Sequence, residues 1–297
     1  MEIRQLRSFQ SVATLLSFNK AADRLNYAQS SISAQIHTLE EELGVQLFDR
    51  LGRRVLLTEA GTQLLEYANK ILDLVDESHS EMAGAKEPLG SLTIRIPETF
   101  GVHRLPAVIK KFHTRFPKVR LNFNTCAHEG LEKDLRKGLT DLAFLLTESF
   151  QTADLLAETL GFESVVLVAG NDHPLAAKGA VRTRELAGET ILLSRVDCSY
   201  RKSFERLLQE EGIGKLTKLE FHSIEVIKRS VRAGVGITVL PEIAVSEEVA
   251  AKKLMILPWT EGPIEVALLM IWYRERWLSP TLRAFMEVTK RVLAQAA

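Results

Sequence analysis

Residues 28–44 read AQSSISAQIHTLEEELG, and within them Gln29, Ser30, Ser31, Ser33 and Gln35 crowd hydrogen-bonding side chains into the first turns of a segment whose other side is apolar. An amide that both donates and accepts matches what a base edge requires, and hydroxyls serve in either role. Short side chains let a helix backbone approach another surface closely, and the N–H groups and partial positive charge of a helix start suit a phosphate. A second set of groups follows in LFDRLGRRVLLT, residues 47–58, a hairpin pattern with a basic tip. Arg50, Arg53 and Arg54 there would reach phosphates or a minor groove.

The elements that must position these groups are legible around them. Ile32, Ile36, Leu39 and Leu43 form one helical stripe. The first 16 residues read as an amphipathic helix with Ile3, Leu6, Phe9, Gln10, Ala13 and Leu16 near one face and Arg4 and Arg7 off it. A short helix with Ala21, Ala22 and Leu25 inward ends at Asn26, a residue that tolerates left-handed backbone geometry. Two short helices, a tight turn and a polar start on the second are the arrangement of a helix-turn-helix, whose second helix enters the major groove. An ordinary helical hairpin with a solvated polar face is the competing reading. Charge does not decide between them, because residues 1–60 hold seven Lys or Arg and seven Asp or Glu. With Glu40, Glu41 and Glu42 at the far end of the second helix, the expectation is charge polarised within the domain.

Thr58 is placed to cap a long proline-free helix running to about Glu87, in which Leu64, Ala68, Ile71, Val75, Ser78 and Met82 alternate at spacings of four and three. That seam suits a second copy of the chain, with packing onto its own chain as the alternative. GAKEPLG, residues 84–90, reads as a linker. Beyond it strands and helices alternate: SLTIRIP, LPAVIKKFHTRFP, VRLNFNT, EGLEKDLRKGL, TDLAFLL, SVVLVAG, a helix near RTRELAG, TILLS, SYRKSFERLLQEEG, KLEFHS, IEVIKRSVRAG, GITVLP, a strand at 264–273 and a closing helix. This is an α/β pattern, expected as two small parallel sheets with a cleft between them and ligands at the strand carboxyl ends.

The whole chain of 297 residues balances 38 Lys and Arg against 38 Asp and Glu, so net charge is neutral on a polyanionic partner. No apolar run approaches the roughly 20 residues of a membrane helix, and MEIRQLRSFQ lacks the order of a signal peptide, so a cytoplasmic protein is expected. Two cysteines, Cys126 and Cys198, make neither a disulfide framework nor a four-thiolate zinc site.

Over essentially its whole length the chain resembles a LysR-type transcriptional regulator. LRSFQSVATLLSFNKAADRLNYAQSSISAQIHTLEEELGVQLFDRLGRRVLLTEAG carries the resemblance most specifically, followed in order by LP…FHTRFP, KGLTDLAF, VLVAGNDHPLA and VRAGVGITVLPEIAV. The resemblance implies a winged helix-turn-helix DNA-binding domain, a dimerising linker helix and a two-subdomain, periplasmic-binding-protein-like α/β domain whose cleft binds a small co-inducer. It also implies dimers that pair into tetramers and bend promoter DNA. The expected boundaries are 1–58, 59–87 and 88–297, the last divided into about 88–161 plus 268–297, and 162–267. Ala28 departs from the Ser or Thr that usually caps the family's recognition helix, and Ala34 from a common basic residue, which puts the operator sequence in doubt.

By strand order the cleft lining should include Glu98 and Thr99 after Pro97, Cys126 to His128, Thr147, Arg195 to Tyr200 with Ser199, and His222 with Ser223. Arg195 and His128 would favour an anionic effector, with Thr99, Ser199 and Ser223 as neutral donors, while Glu98 argues mildly against a purely anionic pocket. The competing role for each is capping or packing. A thiol switch at Cys126 and Cys198 and a metal set of His128, His222, Cys126 and Cys198 are weaker alternatives, since the spacing carries no metal signature. No cofactor is expected. Enzymatic motifs are missing: there is no G-x-S-x-G or Walker loop, and Gly234 and Gly236 lead into a strand rather than opening a helix. A stand-alone solute-binding protein competes for the cleft but leaves the first 87 residues unexplained.

Overall fold

The computed structural model describes residues 1–51, 54–82, 88–125, 130–148, 150, 152–194, 199–213 and 216–295, with backbone alone at Arg50, Leu51, Arg54, Glu77, His79, Ser80, Glu81 and Ser199. The chain forms two compact units, Met1–Ser91 with Lys118–Arg120, and Leu92–Pro117 with Leu121–Ala297. Among the described residues no helix is long and apolar enough to cross a membrane.

The first unit contains helices α1 (Ile3–Leu15), α2 (Phe18–Leu25) and α3 (Gln29–Leu43), an antiparallel hairpin of β1 (Phe48–Leu51) and β2 (Arg54–Leu57), and the long helix α4 (Glu59–Met82). Local chemistry sets the ends. Gln5 Oε1 accepts the Glu2 N–H at 2.7 Å at the start of α1, Ser17 caps α2, and Asn26 ends α2 at φ +54°, as its residue type leads one to expect. Thr58 Oγ1 accepts the Gly61 N–H at 2.9 Å, capping α4. The core joins Leu6, Phe9 and Val12 of α1 to Ala21 and Ala22, to Ile32, Ile36 and Leu39, and to Phe48.

Three stripe residues are exposed rather than buried: Ile3, Leu16 and Leu43. Ile3 opens α1, Leu16 is its left-handed cap, and Leu43 is the last residue of α3, so each stands at a helix end beyond the packed faces. The α4 seam also divides. Of the seam residues, Ala68 is buried in the core of this same unit, as is Leu72 beside the seam, and Leu64 and Ile71 pack against it, whereas Met82 is 82% exposed. The first half of α4 therefore packs onto its own chain. Residues 83–87, the expected end of the helix, lie outside the described residues.

Strands and helices then run β3 (Ser91–Ile96), α5 (Glu98–His103), α6 (Leu105–Arg115), β4 (Arg120–Thr125), α7 (Leu131–Arg136), β5 (Leu142–Thr147), β6 (Leu155–Ala169), β7 (Thr190–Ser194), α8 (Ser199–Glu210), β8 (Thr217–Phe221), α9 (Ile224–Arg232), β9 (Ile237–Pro241), α10 (Ser246–Ala250), β10 (Met255–Ile256), β11 (Ile264–Tyr273) and α11 (Pro280–Ala294). The strand order is β4-β3-β5-β11-β6-β9-β7-β8, with β10 beside β6. Parallel pairs, β3 with β5 and β7 with both β8 and β9, form two groups. These groups are not separate sheets. Antiparallel β11 and β6 join them, because β6 is long enough to pair with β11 over Leu155–Val165 and with β9 over Val165–Val168. Strands β5 and β9 are buried along their whole length, as strands covered on both faces are. The helix expected near RTRELAG is only a 3-10 turn, Thr183–Leu186, and the segment after β3, for which no element is expected from sequence, is helix α5.

Candidate nucleic-acid interface and effector cleft

At the start of α3, Gln29, Ser30 and Ser31 are exposed and Ser33 is half-buried, with the Gln29 side-chain amide donating to Ser33 Oγ at 2.8 Å. Ala28 occupies the N-cap and supplies no side-chain acceptor; only its backbone carbonyl serves the helix start, accepting the Ser31 and Ile32 N–H at 3.0 and 3.2 Å. Gln35 turns partly inward. Its Oε1 accepts from the fully buried Ser8 hydroxyl of α1 at 2.6 Å, which orients the amide. Ser8 was not among the sequence-derived candidates. Its signal was a hydroxyl inside an apolar helical face, since a buried polar group needs a partner.

Of the expected wing arginines, Arg50 pairs through its backbone with Val55 and Arg54 with Leu51, which places both on the hairpin; Arg53 lies outside the described residues. The acidic run at the far end of α3 divides by role. Glu40 is 7% exposed and its carboxylate accepts the backbone N–H of Leu47 and Phe48; Glu41 lies 3.2 Å from His37, and Glu42 pairs with the chain's terminal amine. Packing of α4 against the hairpin is close, for a Cβ on Gly61 would stand 2.1 Å from the Leu47 carbonyl oxygen.

In the α/β unit, Glu98 opens α5, with Thr99 buried beside it. Thr147 is the last residue of β5 and buried, His222 follows β8 and is exposed, and half-buried Ser223 is the N-cap residue of α9. Glu98 and Ser223 are brought together although β3 and β8 lie near opposite ends of the strand order: Ser223 Oγ stands 3.5 Å from Glu98 Oε1, and the Ile224 N–H donates to both carboxylate oxygens at 3.2 Å. Cys126, His128, Arg195 and Cys198 lie outside the described residues, and Ser199 is described only as the first residue of α8.

A cation missed by the sequence reading stands where β7 ends. Arg201, 3% exposed, donates from Nη1 to the Ser194 carbonyl at 2.7 Å and from Nη2 to Glu220 at 2.6 Å and Glu205 at 3.3 Å. Burial acts to lower its pKa, but hydrogen bonds to Glu220 and Glu205 outweigh this and raise it, so the charge is secure. Lys228 of α9 is treated alike: burial opposes its charge, and Glu248 and Glu225 prevail and raise its pKa. His103, at the end of α5, goes the other way, lowered first by burial and then by Lys228.

Comparison with known proteins accords with both parts. Residues 3–62 match the model for bacterial regulatory helix-turn-helix proteins of the lysR family, and residues 85–294 match the LysR substrate binding domain. The uncharacterised HTH-type transcriptional regulator YwqM of Bacillus subtilis (strain 168) is 40% identical over 98% of this chain and 99% of its own length. The HTH-type transcriptional regulator SoxR of Arthrobacter sp. (strain TE1826) is 32% identical over 98% of this chain and 97% of its own. Among solved structures, a full-length OxyR variant from Pseudomonas aeruginosa superposes with a TM-score of 0.69 at 27% identity, covering 99% of this chain and 94% of that one. A helix-turn-helix with an exposed polar helix start, joined to an α/β domain of this topology, thus identifies the chain as a member of the LysR family of DNA-binding transcriptional regulators, with an effector-binding domain.

Proposed function

We propose that the chain acts in the cytoplasm on promoter DNA as a homodimer joined through α4, that dimers pair into tetramers, and that a small anionic co-inducer in the cleft of residues 88–297 modulates promoter binding. In this reading residues 1–58 bind DNA, 59–87 link, and the rest forms two subdomains. Gln29, Ser30, Ser31, Ser33 and Gln35 meet base edges while Arg50, Arg53 and Arg54 meet phosphates or a minor groove. The observation that carries it is the exposed cluster of Gln29, Ser30 and Ser31 at the start of a helix held rigidly by its buried stripe.

The effector would be held by Thr99, Thr147, Ser199, His222 and Ser223, with His128 and Arg195 supplying positive charge, Cys126 lining the pocket and Glu98 at its rim. No turnover is assigned to the cleft. The test is a mobility shift on the protein's own promoter region with excess unrelated DNA, repeated with a panel of small organic acids, and sedimentation to count subunits. A specific shift whose footprint changes with one acid supports the reading. Its loss on deleting residues 1–87, with acid binding kept, assigns the two roles to the two parts. Turnover of an acid, or no specific shift at any salt concentration, overturns it.

A further inference from the structure

We propose that Glu98 is an autoinhibitory latch: its carboxylate occupies the N-terminal end of α9 and holds the two sides of the cleft together until the carboxylate of an effector takes its place. This rests on the effector reading above and deepens it. Both Glu98 oxygens stand 3.2 Å from the Ile224 backbone nitrogen, and Ser223 Oγ is within 3.5 Å of one of them. Ser223 has the position of an N-cap but makes no capping hydrogen bond within its own helix. The acceptor that α9 requires at its start is instead supplied by a residue 126 positions earlier.

Each partner is anchored to its own side. Glu98 is followed by buried Thr99 and by Phe100, whose ring stacks on Phe144 of β5 at 4.4 Å. In α9, Ile224, Ile227 and Val231 are buried in a cluster with Val166, Val168 and Leu192 of β6 and β7. The contact therefore joins two packed bodies, and α5 also rests against the Glu242–Ala244 turn that leads into α10. Because the helix end has few unsatisfied donors and Glu98 engages the first of them, an effector carboxylate seeking the Ile224 N–H has to displace Glu98. Displacement removes a cross-cleft contact, so ligand binding and cleft geometry are coupled. The latched form is the effector-free one, and the latch lowers apparent effector affinity by the fraction of molecules in which it is closed.

The experiment measures amide hydrogen exchange at Ile224 in the full-length protein, in wild type, Glu98→Ala and Glu98→Gln, with sodium acetate as the probe and sodium chloride at equal ionic strength as control. Exchange at Ile224 is expected to be roughly five- to tenfold faster in Glu98→Ala, the range typical of a lost cap. Acetate should return protection to that variant, chloride should not, and amides of β9 should keep wild-type protection. Should Glu98→Ala fail to fold, Glu98→Gln carries the same test, its neutral amide oxygen giving a smaller change in the same direction. Unchanged exchange in both variants would overturn the latch, as would acetate protecting Ile224 in wild type as strongly as in Glu98→Ala. Glu98-dependent protection with acetate rescue, in a protein whose promoter footprint responds to no acid, supports the latch and refutes the effector reading, which keeps the two failures distinct.

Discussion

Glu40 Oε1 accepts the backbone N–H of Leu47 at 2.7 Å and that of Phe48 at 3.3 Å, so a carboxylate from the later turns of α3 fixes the start of the hairpin. Both donors belong to buried residues. Glu40→Ala strands them and should cost about 2–3 kcal/mol. Thermal unfolding of the DNA-binding unit should show the loss, and DNA affinity should fall for all sequences as the hairpin shifts from α3. A variant with wild-type melting would remove Glu40 from this role.

Ser8→Ala deletes the donor that orients Gln35. Stability should change by no more than about 1 kcal/mol, because the hydroxyl and its partner contribute one ordinary hydrogen bond. Selection of binding sites from a random DNA library should reveal relaxed preference at one operator position. An unaltered selected motif would mean that Gln35 does not read a base through this orientation.

Arg53→Ala and Arg54→Ala should weaken binding to specific and unrelated DNA alike. Each lost phosphate contact lowers the slope of log affinity against log salt by about 0.9. Affinity and slope both equal to wild type in the double variant would sink the assignment of these residues to a DNA-contacting wing.

Close backbone approach makes two glycines intolerant of a side chain. A Cβ on Gly61 would lie 2.1 Å from the Leu47 carbonyl oxygen, and one on Gly236 would lie 2.1 Å from that of Thr190, where β9 pairs with β7. Gly61→Ala and Gly236→Ala should each destabilise by about 1–3 kcal/mol, the usual cost of overpacking. Chemical denaturation read separately for the two units should place the first effect in residues 1–91 and the second in the α/β unit.

Acid should destabilise the α/β unit in two windows. His103 has its pKa lowered from 6.5 by burial and by Lys228, so as pH falls below 6.5 the unfolded chain takes up the proton first and stability declines until the lower folded value is passed. Glu205 responds further down: burial acts to raise it, yet hydrogen bonds from Lys218 and Arg201 prevail and hold it below 4.5. Its contribution is complete above about pH 4.5 and is lost as pH falls through the lower folded value. Melting temperature measured from pH 8 to pH 3 should show both declines. His103→Gln should erase the upper one and Arg201→Met should shrink the lower one; a decline near pH 6 that persists in His103→Gln would assign it to another group.

Much of this protein was determined by sequence alone, wherever the relevant forces act within a turn or two of the chain. The stripe Ile32, Ile36, Leu39 is buried as its spacing requires, Asn26 ends α2, and β11 runs over 264–273 as its apolar run indicates. Helix α5 escaped notice because six residues containing Gly101 show no measurable period. Tertiary structure alone decided the rest. Whether the α4 seam would face a partner or its own chain depended on α1 lying against it, and Leu64, Ala68 and Ile71 took the second course. Likewise, the partners of Glu40, Ser8 and Glu98 lie 7, 27 and 126 residues away along the chain. A helix period is written in neighbouring residues, but a buried donor takes whichever acceptor packing delivers to it, and that choice exists only once the chain has folded.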